Sequence, residues 1–132
     1  MPESLQPKKI LIVDDTEINR YTLSKMISVR GIEVLQAATG GEAIALAQQS
    51  PDLALIDIHL PDMTGYQVLE EVRKNPVSAD LCVVLMSATE PPPAARSAAA
   101  HLGVHSFLTL PVVSDDLWVV IQANFQRQKR RK

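Results

Sequence analysis

The chain has one cysteine, Cys82, in 132 residues. That excludes an intramolecular disulfide framework. Cys82 lies inside the apolar run "LCVVLM" and reads as a small buried hydrophobe. No stretch approaches the length of a membrane span, and "MPESLQPKK" at the start carries no apolar signal-peptide core. A soluble cytoplasmic protein without a membrane partner is the expectation. Strong charge bias is missing too. The formal net charge is −2, so no direct nucleic-acid partner is expected. Basic residues collect only in the terminal "RQKRRK", and positive charge suits a helix C-terminus. Internal repeats and low-complexity segments are absent. The glycine spacing matches neither a P-loop nor a dinucleotide fingerprint. No nucleophile–base triad is visible. His59, His101 and His105 lack metal-ligand spacing.

What is present is an ordinary globular composition, 46% hydrophobic and 21% charged. The length suits one domain. Apolar runs alternate with helical patterns. "KKILIVDD" reads as a buried strand ending in acids. "TEINRYTLSKMISVRG" reads as a helix with Thr16 as cap and Gly31 as stop. "IEVLQAA", "DLALID", "DLCVVLMSA" and "HSFLTL" read as four further strands. "TGGEAIALAQQS", "GYQVLEEVRKN", "PAARSAAAHLG" and "SDDLWVVIQANFQRQ" read as the intervening and final helices, with Ser114 as the last N-cap. The prolines of "EPPPAARSAAA" should stiffen the entry to the fourth helix. Five rounds of strand then helix predict an α/β fold, a parallel sheet wound on both faces by helices. Its ligand crevice lies beyond the carboxyl ends of the strands, where the winding reverses.

Three acids fall there. Asp14 and Asp15 end the first strand, and Asp57 ends the third. A sheet wound from its middle makes those strands neighbours, so the acids converge. Clustered carboxylates repel one another, and a cation relieves this. Oxygen-only ligands at a watery site suit Mg²⁺ shared with a phosphate. Ser87, ending the fourth strand in "LMSAT", is expected to face the same crevice. A single strand-end acid reads better as a helix cap. An adjacent pair plus a third at the matching strand end favours the metal.

These segments together, "ILIVDD", "LALIDIHLPDMTGYQVL", "VVLMSA" and "GVHSFLTLPV", resemble the response-regulator receiver domains of two-component and phosphorelay signalling. The resemblance implies a flavodoxin-like five-stranded parallel sheet of order 2-1-3-4-5 with five helices. It spans residues 9–126, leaving 1–8 as an extension and 127–132 as a basic tail. Asp57 would accept phosphate from a histidine kinase or histidine phosphotransfer protein. Asp14, Asp15, Asp57 and the backbone carbonyl of His59 would hold Mg²⁺ (or Mn²⁺). Ser87 and Phe107 would be the switch hydroxyl and switch aromatic, and Pro61 and Gly65 would shape the loop. The family's lysine before the last proline is replaced by Leu110 in "LTLPV". Leucine offers no point charge to a phosphate. Lys8 and Lys9 precede the first strand, which leaves Arg96 of the fourth-helix region as the conceivable stand-in.

Three functions compete. One is a stand-alone phosphorylatable receiver, which is not an enzyme in its own right. A second is a pseudo-receiver acting by interaction alone. The third and weakest is an aspartyl phosphatase, which needs alternating rather than adjacent acids. With no effector domain in the sequence, output is expected from the receiver's own surface. In "LWVVI" five consecutive apolar residues go right round a helix. Leu117, Ile121 and Phe125 form the buried stripe. Trp118, Val119 and Val120 are then expected at least partly outside it, as a homodimer surface with the fourth helix and fifth strand.

Overall fold

The computed structural model describes residues 6–131, with side chains as far as 127. Residues 1–5 of the 1–8 extension and Lys132 of the 127–132 tail lie outside the described residues, and of residues 128–131 only the backbone is described. The elements follow in the expected order: β1 Lys9–Val13, α1 Glu17–Ser28, β2 Glu33–Ala37, α2 Gly40–Leu46, β3 Leu53–Asp57, α3 Gly65–Lys74, β4 Cys82–Ser87, α4 Pro93–His101, β5 Phe107–Thr109 and α5 Ser114–Arg131. All strand pairings are parallel, and the sheet order is β2-β1-β3-β4-β5. This is the flavodoxin-like arrangement.

Alternation along the central strands divides the core. Leu11, Val13, Ala54 and Ile56 pack toward Ala43 of α2 and Val68, Leu69 and Val72 of α3. Ile10, Ile12, Leu53 and Leu55 pack toward Leu23 and Ile27 of α1 and Leu117 and Ile121 of α5. Both faces of β1 and β3 are therefore buried, which is why they read as unbroken apolar runs. Cys82 and Met86 point into the second layer. Burial pushes the Cys82 thiol up to about 11, so it is an inert core group.

Local chemistry sets the helix ends. Thr64 and Gln67 form a reciprocal capping box that starts α3 directly after the acceptor loop. Thr39 caps α2 by accepting from the Glu42 N–H, as the "TGG" turn requires. Pro92 and Pro93 lead into α4 from extended backbone. Two expected caps differ. Thr16 occupies the N-cap of α1, but its side chain makes no cap bond. Ser114 is the first helical residue of α5, and the Leu117 N–H bonds the Val113 carbonyl. The apolar Val113 thus holds the cap position.

Gly65 is needed where α3 passes β3. A Cβ there would lie 2.6 Å from the Asp57 carbonyl oxygen and 2.9 Å from the Ile58 Cα. Both are backbone atoms, which cannot swing aside as a side chain can. The Gly65 N–H also bonds the Ile58 carbonyl at 2.7 Å. The loop that follows Asp57 is closed at its base by this contact and by a bridge between His59 and Thr64.

Candidate functional site: an acidic pocket at the strand ends

β1 and β3 are adjacent, with Val13 opposite Ile56. Their carboxyl ends bring Asp14, Asp15 and Asp57 together. One carboxylate oxygen from each lies within 4.8 Å of the others. Asp14 is fully buried and Asp15 exposed. The Asp14 carboxylate accepts from the Thr16 N–H at 2.8 Å and from Asn19 Nδ2 at 3.2 Å. Its main-chain carbonyl accepts from Arg20 Nη1 at 2.7 Å. These bonds turn the start of α1 onto the end of β1. Asn19 and Arg20 escaped the sequence reading because only their helical phase, not a motif, aims them here.

Asp57 is 7% exposed, and its Oδ1 accepts from the His59 N–H at 3.0 Å. Its carboxyl is raised from the usual 3.8 to about 6. Burial is the main cause, and the charges of Asp14 and Asp15 add to it. The His59 N–H and imidazole pull the other way. None of these main influences on the carboxyl is a lysine or an arginine. The pocket concentrates negative charge, with the Arg20 guanidinium held at its edge by the Asp14 carbonyl, and its all-oxygen donor set fits a hard divalent ion.

Ser87 ends β4 as expected and is buried. Its hydroxyl donates to the Thr89 carbonyl at 2.7 Å and accepts from the Thr89 N–H at 3.2 Å. It is thus engaged with its own loop, not with Asp57. Phe107 begins β5 and is half-buried. The Arg96 guanidinium lies 4.9 Å from its ring centroid and pairs with Glu90. Arg96 is therefore engaged with the β4–α4 loop and the Phe107 ring, and it does not stand in for a lysine at the acids. Leu110 is half-buried and packs on the layer made by α1 and α5, while its N–H bonds the Ser87 carbonyl at 2.9 Å.

The expected surface needs correction. Trp118 is buried, 8% exposed, with the Arg30 guanidinium 4.0 Å from its ring centroid. The buried stripe of α5 is wide enough to take Trp118 beside Leu117, Ile121 and Phe125. Val119 is exposed and Val120 half-buried. They line an open groove of about 240 Å³ with Phe107, Leu108, Val113 and Asp116. A larger cavity of about 310 Å³ lies at the opposite ends of the strands, between Pro51, Pro76 and Phe125. It contains none of the acids described above.

Residues 10–122 match the family model of the response regulator receiver domain. The chain belongs to that family, the receiver class of two-component signalling. Among curated proteins it is 33% identical to protein PilH of Pseudomonas aeruginosa over 116 residues, covering 87% of this chain and 95% of PilH. It is 32% identical to the probable transcriptional regulator ycf27 of Cyanophora paradoxa, but spans only 50% of that protein. Among solved structures, a CheY-like response regulator receiver domain protein from Methanospirillum hungatei superposes with a TM-score of 0.85 at 28% identity. That likeness covers 95% of this chain and 98% of the other. No helix among the described residues is long and apolar enough to cross a membrane.

Proposed function

We propose that the chain is a stand-alone receiver that takes phosphate on Asp57 from the phosphohistidine of a histidine kinase or phosphotransfer protein. The observation that carries this reading is the convergence of three carboxylates within 4.8 Å at the ends of β1 and β3. Asp14, Asp15, Asp57 and the His59 carbonyl are the proposed ligands of Mg²⁺ or Mn²⁺. A divalent ion held there supplies positive charge to the acids and to the phosphoryl oxygens. The chain's own part is positional. With its carboxyl at about 6, Asp57 is mainly ionised at neutral pH and ready as a nucleophile. Its free oxygen bonds to phosphorus as the phosphorus–nitrogen bond of the donor breaks, and the departing imidazole takes a proton from solvent. The His59 N–H holds the other oxygen. Ser87 would then exchange its bond to Thr89 for one to the phosphoryl group and act as the switch hydroxyl, with Phe107 as the aromatic that follows it. The product stays on the protein, so this is signalling and not turnover.

Intact mass after incubation with Mg²⁺ and acetyl phosphate tests the reading. One Mg²⁺-dependent phosphate adduct, absent in Asp57→Asn, is the expected result. No adduct, followed by none from a phosphohistidine donor, would leave the pseudo-receiver, the reading that Leu110 favours.

The groove along β5 and α5 is the proposed homodimer surface. Val113 and Val119 are 60% and 67% exposed there, an apolar patch on an otherwise polar helix face. Val119→Asp should shift the mass measured by light scattering at high concentration from dimer to monomer. A parent that is monomeric at the same concentration would end this proposal.

A further inference from the structure

The loop from Ile58 to Thr64 is tied to a neighbouring helix at one place. The Asp62 carboxylate accepts from two backbone N–H groups in the first turn of α2. Oδ1 takes the Gly40 N–H at 2.8 Å, and Oδ2 takes the Gly41 N–H at 2.9 Å. These two bonds hold the Asp62 carboxyl below its usual value. The Met63 side chain packs against Gly40, where it would have to shift to admit a Cβ. Asp62 and Met63 thus grip α2 together. Thr39 already caps this helix through the Glu42 N–H, so Asp62 is not needed as its only cap.

The same loop carries His59. Its N–H donates to Asp57 Oδ1 at 3.0 Å and decides which oxygen of the carboxylate stays free. At its base the loop is bonded back on itself, through Gly65 to Ile58 and His59 to Thr64, and the Ile58 N–H bonds the Met86 carbonyl of β4 at 2.9 Å. β4 holds the loop at Ile58, so what is left to move is the span from His59 to Thr64, which rests on the core through Leu60 and Met63 and can still tilt about that anchor. The α2 grip opposes that tilt.

We propose that Asp62 is a positioning residue for Asp57: by gripping the first turn of α2 it fixes the loop whose His59 amide orients the acceptor carboxylate. The proposal rests on the phosphoacceptor reading for its consequence, but not for its geometry. Groups that orient a reacting or metal-binding side chain from behind commonly matter by ten- to a hundredfold.

The test uses the full chain, the Asp62→Ala variant and the isosteric Asp62→Asn. In Asn the amide nitrogen would confront one of the two N–H donors, so it should act in the same direction. Hydrogen exchange of the His59 amide is followed by NMR without metal. It should quicken about tenfold in Asp62→Ala, while the amides of β3 keep their protection. The rate of phosphate uptake from acetyl phosphate should fall about tenfold, at a temperature where every variant is folded. An unchanged His59 amide, or loss of protection confined to α2, would overturn the proposal. So would an unchanged rate of uptake in a protein whose parent accepts phosphate. If the parent accepts none, the phosphoacceptor reading fails, and the His59 amide still decides the role of Asp62. If Asp62→Ala does not fold, Asp62→Asn decides by the same two measurements.

Discussion

Replacing Asp57 by Asn should make the metal-free protein more stable at about pH 7.5, by on the order of 2 kcal/mol. The folded protein holds the Asp57 carboxyl at about 6, against a usual 3.8. Burial and the charges of Asp14 and Asp15 make its ionised form unfavourable in the fold. Below about pH 4 the carboxyl is neutral in folded and unfolded chains alike, and it costs nothing. Between about pH 4 and pH 6 the unfolded chain releases the proton and the folded chain keeps it, so stability falls as pH rises. Above about pH 6 the penalty is complete and constant. The difference between 3.8 and about 6 corresponds to about 3 kcal/mol at full value, and water at the pocket mouth lowers it. Asparagine does not ionise and escapes this cost. Urea unfolding in EDTA should show the two proteins alike near pH 4, with a gap opening by pH 6. A variant less stable than the parent at neutral pH would refute the account. Adding Mg²⁺ should narrow the gap, because only the parent keeps all the acids that bind it. The parent thus carries a standing cost at the residue proposed to react, as functional sites often do.

The acids could be read from sequence for a topological reason. Strand–helix alternation implies a parallel sheet, and such sheets place their sites at strand carboxyl ends. Asp14, Asp15 and Asp57 each follow or end an apolar run, so their positions came with the fold. Contacts between distant elements were not legible in this way. Asp62 meets Gly40 and Gly41 across 22 and 21 positions, and no periodicity encodes that meeting. Arg96 chose Glu90 and Phe107, which depends on where the β4–α4 loop lands. The Ser87 hydroxyl turned toward Thr89, a rotamer choice that residue type leaves open. Helix phase explains the error at Trp118. In "LWVVI" the stripe can be drawn narrow or wide, and the sheet, together with Arg30 from the turn after α1, takes the wide one. Val119 alone of the three is left fully outside.

Leu110→Lys should remove much of the stability gain from Asp57→Asn and strengthen the response to phosphate. Leu110 sits at the carboxyl edge of the sheet, where its N–H bonds the Ser87 carbonyl. Its side chain leans on the α1 and α5 layer. A lysine stem can follow that apolar path and carry its ammonium out toward the strand ends. A cation near Asp57 would favour the ionised carboxylate and bring its pKa back toward 3.8. The single change also forfeits part of the leucine's packing, a loss of about 1 kcal/mol. That loss cancels in a double-mutant cycle of the parent, both single variants and the double variant. At about pH 7.5 in EDTA the cycle should show a coupling of about 1 kcal/mol between the two positions. Additivity within about 0.3 kcal/mol would mean that the ammonium does not reach the acids. The response is read separately, from Trp118 fluorescence with and without acetyl phosphate, since Trp118, on α5, lies beneath Arg30 in the core layer that α5 shares with α1. Coupling together with a larger fluorescence change would assign the deficit at position 110 to missing charge. Coupling without it would mean that relief of charge at Asp57 is not what carries the signal outward. The route through Ser87, the β4–α4 loop and Arg96 to Phe107 would then be the one to follow.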